Sequence, residues 1–163
     1  RQLLEALHQR IGEVHLKKQD YPNALQKFRT YLSMAEETLT SVKDNGGALY
    51  DVSNARQKIG DALREQGDLA GALKEYRQSL EIAVELNRMR WNGSWSKILA
   101  MNHQRIGLVL KSQSDPRGAI SQFEQCIKVK VNKFAWSPRT LWPPDVTDYC
   151  QQQIDQLRAV PPR

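Results

Sequence analysis

Apolar residues through the first 131 positions recur at intervals of three and four, the spacing that lines one face of an α-helix. Leu3, Leu4, Leu7, Ile11, Val14 and Leu16 form the first stripe. It should stop near Gln19, where Asp20 can cap a second helix and Pro22 sits in a first turn that needs no amide donor. Ala24, Leu25, Phe28, Tyr31, Leu32 and Ala35 carry that second helix, which fades near Val42 before the breaker Asp44-Asn45-Gly46-Gly47. The plan then repeats. Tyr50, Val52, Ala55, Ile59, Ala62 and Leu63 predict a third helix, Gly67-Asp68 a turn, and Leu69, Ala72, Leu73, Tyr76, Leu80, Ile82, Ala83 and Leu86 a fourth. Ile98, Leu99, Ile106, Val109 and Leu110 predict a fifth. After the turn Ser114-Asp115-Pro116, Ala119, Ile120, Phe123, Ile127 and Val131 predict a sixth. Helices of roughly 18–24 residues would each span about 27–36 Å.

The repetition reaches individual residues. Gln9-Arg10-Ile11-Gly12 returns as Gln57-Lys58-Ile59-Gly60 and as Gln104-Arg105-Ile106-Gly107, with the glycines 48 and 47 positions apart. Asp20, Asp68 and Asp115 fall where N-caps should, and Ala24, Ala72 and Ala119 are each followed one turn later by Phe28, Tyr76 or Phe123. A glycine inside a helix costs about 1 kcal/mol relative to alanine. Its return at one register predicts a close helix crossing, with the alanine as the facing half and the aromatic covering the contact. These are packing residues, and no function is expected of them. The units read as residues 1–47, 48–95 and 96–133, followed by a Pro/Trp-rich connection and a last helix in 134–163, all in one domain. Prolines 138, 143 and 144 forbid a continuous helix there. Asp145 then opens an amphipathic stretch through Val146, Tyr149, Ile154 and Leu157. A stacked array must cover its last apolar face, so this segment is expected to fold back as a cap, with Trp136 and Trp142 on the third unit. The competing reading is an aromatic, basic docking surface.

A helix carrying a branched aliphatic and Gly, a turn, and a helix carrying Ala-x-x-x-aromatic resembles the tetratricopeptide repeat. The resemblance covers about residues 1–131. It implies an all-α fold: a right-handed α-solenoid of three helix-turn-helix repeats plus a C-terminal capping helix. Departures are clear. The family's early aromatic is replaced by His8, Arg56 and His103, its later Tyr by His15, Leu63 and Leu110, and the closing Pro is missing. The period of 47–48 in place of about 34 lengthens both helices. Long repeats of this kind look like those of bacterial multidomain proteins, attached to protease, nucleotide-switch or signalling domains. A chain that begins inside a helical pattern fits a piece of such a protein.

The family lines a concave groove with its first helices. Carried over, that puts Gln9, Glu13, Leu16 and Lys17 in the groove from the first repeat, and Asn54, Gln57, Asp61, Arg64 and Glu65 from the second. The third adds Met101, Gln104, Leu108 and Lys111. Members that clamp a C-terminal carboxylate use Lys, Asn and Arg at defined sites. Those sites hold Gln9, Glu13, Lys58 and Met101 here, and only Arg105 matches, which argues against that mode. The resemblance implies a non-catalytic protein–protein interaction module for a protein or peptide, or for an adjacent domain of the same chain. Its stacked glutamines would face an extended backbone or a polar helix.

Composition and charge add limits. At 163 residues, 40% apolar and 26% charged, the chain can bury a core. Of the net charge of +6, residues 96–163 supply +5, from ten basic and five acidic groups. That basic third, with its tryptophans, supports the alternative of an RNA- or DNA-binding repeat. Against it, Glu13, Asp61 and Glu65 oppose Lys17, Arg64 and Lys111, whereas a nucleic-acid channel should be dominated by one sign. The three histidines have no carboxylate at a zinc-site spacing, and there is no phosphate loop or nucleophile elbow. No metal, cofactor or catalysis is therefore expected. Cys126 and Cys150 are too few for a disulfide framework. Cys126 stands where Tyr31 and Ser79 stand, so a packed, reduced thiol and a cytoplasmic setting are expected. No apolar run is long enough to span a membrane, and the oligomeric state is not set by the sequence.

Overall fold

The computed structural model describes residues 2–41, 46–89, 94–129 and 146–159. Among them every regular element is an α-helix: α1 (Gln2–Lys17), α2 (Tyr21–Ser41), α3 (Gly46–Gln66), α4 (Leu69–Arg88), α5 (Ser94–Ser112), α6 (Pro116–Lys128) and α7 (Val146–Ala159). They fall into two compact units divided between Leu86 and Asn87. The first holds α1 to α4, the second α5 to α7. The helices α2 to α5 have the expected length, at 21, 21, 20 and 19 residues. At 16 and 13 residues, α1 and α6 fall short of it. Gly46 and Gly47, expected as part of a breaker, form the first turn of α3. The expected Trp136 and Trp142 contacts and the connection before α7 lie outside the described residues.

One turn design joins the helices of each pair. After α3, Gly67 adopts a positive φ of 95°, its amide donates to the Arg64 carbonyl at 3.1 Å, and the Asp68 amide donates to the Leu63 carbonyl at 2.9 Å. This paired closure ties off helix carbonyls that would otherwise lack donors. Gln19 and Ser114 take the same place with φ of 60° and 61°, and the Asp20 and Asp115 amides bond to His15 and Leu110 at 2.9 Å. Each Asp then caps the next helix. Asp68 and Asp115 accept from the Gly71 and Gly118 amides at 2.8 and 2.9 Å, Asp20 from Asn23 at 3.4 Å. Their carbonyls receive the amides of Ala72, Ala119 and Ala24, each at 3.0 Å. The recurring Asp and Ala are two ends of one hydrogen bond.

The recurring glycine has a different partner from the one expected. A Cβ at Gly12 would lie 2.5 Å from a Phe28 ring carbon, one at Gly60 2.5 Å from Tyr76, and one at Gly107 2.7 Å from Phe123. The aromatic itself, rather than the alanine, rests on the bare helix backbone. Phe28, Tyr76, Phe123 and the three alanines are fully buried. In the first unit Ala24, Leu25, Phe28, Ile59 and Ala62 form a core cluster, with Leu16, Leu32 and Leu63 at its edge. In the second, Ala100, Ala119, Phe123 and Cys126 pack with Cys150 and Ile154 of α7.

That cluster corrects the expectation for cysteine. Cys126 is fully buried, as expected of a packed residue, but it is disulfide-bonded to Cys150, with Cα atoms 6.5 Å apart. At the same register Tyr31 of α2 reaches Asp51 of α3, the next helix in the array. Cys126 of α6 likewise reaches the next helix, which is α7. Repeat comparison shows the register but not the partner, because Cys150 lies beyond the repeated part of the chain.

Candidate functional site: the first-helix face

In the first unit the face expected to take a partner is built from α1 and α3. Lys58 joins them, its Nζ 2.7 Å from Glu13 Oε1, while the Gln9 amide donates to the same carboxylate at 3.1 Å. Partial burial pushes the Glu13 carboxyl up, but hydrogen bonds from Lys58 and Gln9 and the nearby positive charge outweigh it and leave it below its ordinary value. Lys58 was expected only as the occupant of a carboxylate-clamp position, not as a partner of Glu13. Its signal was present: it lies 45 positions from Glu13, one turn short of the repeat period.

Other expected residues carry structural duties. The Asp61 carboxylate accepts from the Tyr76 hydroxyl at 2.7 Å and so holds the ring that rests on Gly60. The Asn54 amide donates at 3.4 Å to the Tyr31 hydroxyl, which donates at 3.0 Å to Asp51. Burial raises the Asp51 carboxyl above its ordinary value despite that bond, with the Glu5 charge adding to the rise. Burial, then the Asp51 charge, raises the Tyr31 phenol.

Gln57 departs most from expectation. It was to stand in the groove, yet it is only 4% exposed, and among the described residues its Nε2 has no hydrogen-bond partner. Packing explains the difference, because α3 has α2 on one side and α4 on the other and keeps only a narrow outer strip. Gln9 and Gln104 are half-buried, so the glutamine ladder is not a uniform surface. Of the expected residues in the first unit, Lys17 and Glu65 are exposed and Arg64, Gln9 and Asn54 are half-buried.

In the second unit, Met101 and Gln104 are half-buried on α5, and Leu108 packs against the core cluster that contains α7. The Lys111 ammonium donates to Gln153 at 2.7 Å and to Gln156 at 3.5 Å, both on α7. The helix expected as a cap thus engages the last two residues assigned to the groove. Of the expected residues, Gln9 and Glu13 bond to each other on α1, Gln57 is buried in α3, and Lys111 bonds to α7.

Three of the departures from the repeat pattern, Arg56, His103 and His15, are polar staples. Arg56, where the family has an aromatic, donates to Glu75 at 3.2 Å and Gln78 at 2.8 Å on α4, and to Glu36 at 2.9 Å on α2. His103 is 2.9 Å from Gln122, and His15 is 2.9 Å from the capping Asp20. Among the described residues no three His, Cys, Asp or Glu side chains gather as metal ligands, and no helix is long and apolar enough to cross a membrane.

Comparison with known proteins agrees with this architecture. Residues 53–83, most of α3 and most of α4, match the tetratricopeptide repeat family. No curated protein matches the sequence. Among solved structures, the apo form of RapI superposes with a TM-score of 0.71 at 12% identity, over 96% of this chain and 48% of its own. The chain therefore spans about half the length of that structure. The N-terminal domain of stress-induced protein-1 from C. elegans superposes with a TM-score of 0.59 at 13% identity, covering 91% of this chain and 93% of the domain. At such identities the likeness is one of fold: an all-α solenoid of helical repeats.

Proposed function

For this chain, a tetratricopeptide-type helical-repeat protein, we propose a non-catalytic role as an interaction module. It takes a protein or peptide, or an adjacent domain of a longer chain, along the first-helix face. The observation that carries this reading is a division of labour in the first unit. The recurring Gly, Ala, Asp and aromatic residues are consumed by packing and turn closure, while Lys17 on α1 and Arg64 and Glu65 on α3 stay accessible as a mixed-charge polar strip. Lys17, Arg64 and Glu65 are its accessible charges, of both signs, and the Glu13–Lys58 pair is already neutralised. Such a strip suits the polar groups of a peptide or helix better than a run of phosphates.

Residues outside the packing make the cleanest test. Gln57 is buried and Asp61 holds Tyr76, so changing either confounds binding with folding. Affinity capture with the Lys17→Glu/Arg64→Glu variant beside the wild type avoids this. A partner that docks on the strip should lose at least about tenfold in affinity, the scale expected when two charged contacts are reversed. Retention of every partner at unchanged affinity would overturn the proposal.

A further inference from the structure

We infer that the Cys126–Cys150 disulfide is a latch that holds α7 over one end of the second unit's first-helix face, so that its reduction opens that end to a partner. The inference rests on the proposed use of first-helix faces for docking.

Three observations on α7 support it. First, it occupies groove positions: Lys111 of α5 donates to its Gln153 and Gln156, and Leu108 packs against the cluster it joins. Second, its apolar hold is small. It is 14 residues long, near the length at which an isolated helix is marginal in water. Cys150 and Ile154 are its fully buried apolar residues, with Val146 and Leu157 partly buried beside them. The Arg158–Glu124 pair is exposed and adds little. Third, the covalent bond sits at the centre of that small contact and spans 24 positions of chain. Cross-linking a loop of this length favours the closed arrangement on the order of 100-fold.

The chemistry needs a dithiol reductant. One of its thiolates attacks a cystine sulfur, forms a mixed disulfide and releases the first cysteine thiolate. Its second thiolate displaces the other cysteine, and the reductant leaves as an internal disulfide. The protein gains two electrons and two protons and carries two thiols. Both sulfurs are fully buried, so attack must follow an opening of α7. The latch is therefore slow to release while α7 is docked and slow to re-form once a partner takes its place.

Hydrogen exchange read by mass spectrometry tests this on the whole chain without any partner. The oxidised protein is compared with protein reduced by dithiothreitol and with Cys150→Ser. Amides of α7 should exchange at least tenfold faster in both altered forms, while those of α1 to α3 keep their rates and report that the fold persists. If Cys150→Ser does not fold, the reduced wild type decides alone. Equal protection of α7 with and without the bond would overturn the latch, as would two titratable thiols in protein purified and unfolded without reductant. Because no partner enters the measurement, failure of the latch leaves the docking proposal standing. Failure of the Lys17/Arg64 test would leave the covalent hold on α7 standing and remove the docking role that its release would serve.

Discussion

At the scale of single residues, the repeated positions were legible because each solves the same local problem three times. The glycine admits an aromatic ring against bare backbone, and the aspartate closes a turn. The close approach at the glycine was expected, with the aromatic covering it. That the ring and not the alanine comes nearest was not legible, because spacing places both on one helix without saying which reaches across. The turns also contain an asymmetry. Repeat two meets the left-handed position with Gly67, while Gln19 and Ser114 adopt it with side chains, at φ near 60°. A non-glycine residue there carries about 1–2 kcal/mol of strain, and glycine's greater freedom in the unfolded chain offsets part of any relief. Ser114→Gly should therefore stabilise the protein by about 0.5–1 kcal/mol, and Gly67→Ala should destabilise it by about 1 kcal/mol. Urea denaturation of the two variants reads both signs. A destabilised Ser114→Gly would show that the hydroxyl, and not the backbone, fits that turn.

At the scale of elements, burial depends on what flanks a helix, and the chain reads differently wherever neighbours differ. Val52, Ala55, Ile59 and Ala62 are buried on α3, whereas Leu4, Leu7 and Val14, at the same register on α1, are about half exposed. The stripe was visible in both helices, but its depth was not, since α3 packs against α2 and the described residues place no helix in the equivalent position on α1. The same enclosure submerged Gln57 and the carboxyl of Asp51. Burial raises the folded-state pKa of Asp51, so the folded protein holds that proton more tightly than the unfolded chain does. Its contribution to stability is therefore fully present below the ordinary aspartate value of 3.8 and is lost as pH rises through the raised folded value. Asp51→Asn keeps an oxygen for the Tyr31 hydroxyl and removes the charge. The variant should melt above the wild type at pH 7 and level with it below pH 4, as followed by circular dichroism. A gap that does not change with pH would assign the effect to something other than ionisation.

At the scale of the whole molecule, fold class and repeat number were readable because three copies agree. The partner was not, because a binding face is defined by what packing leaves over, and that is known only once the packing is known. Net charge belongs to this scale. The excess of +6 suggests nucleic acid, with +5 of it in the last third. Its distribution on described residues argues otherwise: on α1 and α3 the Lys58 charge is neutralised by Glu13, and Arg56 is matched by Glu36 and Glu75. Attraction to a phosphate backbone without a continuous basic track is counterion-driven and weakens steeply with salt, by about 10³–10⁵ between 50 and 200 mM for six to ten contacts. A fluorescently labelled single-stranded RNA of about 20 nucleotides should thus bind weakly at 50 mM salt and show no saturable binding at 200 mM. A protein or peptide partner held by mixed charge and hydrogen bonds should lose far less affinity over the same range, because each attraction it loses is accompanied by a repulsion it also loses. Saturable RNA binding that survives 200 mM salt would require a basic track strong enough to dominate the molecule, and the protein-partner reading would then give way to the nucleic-acid one.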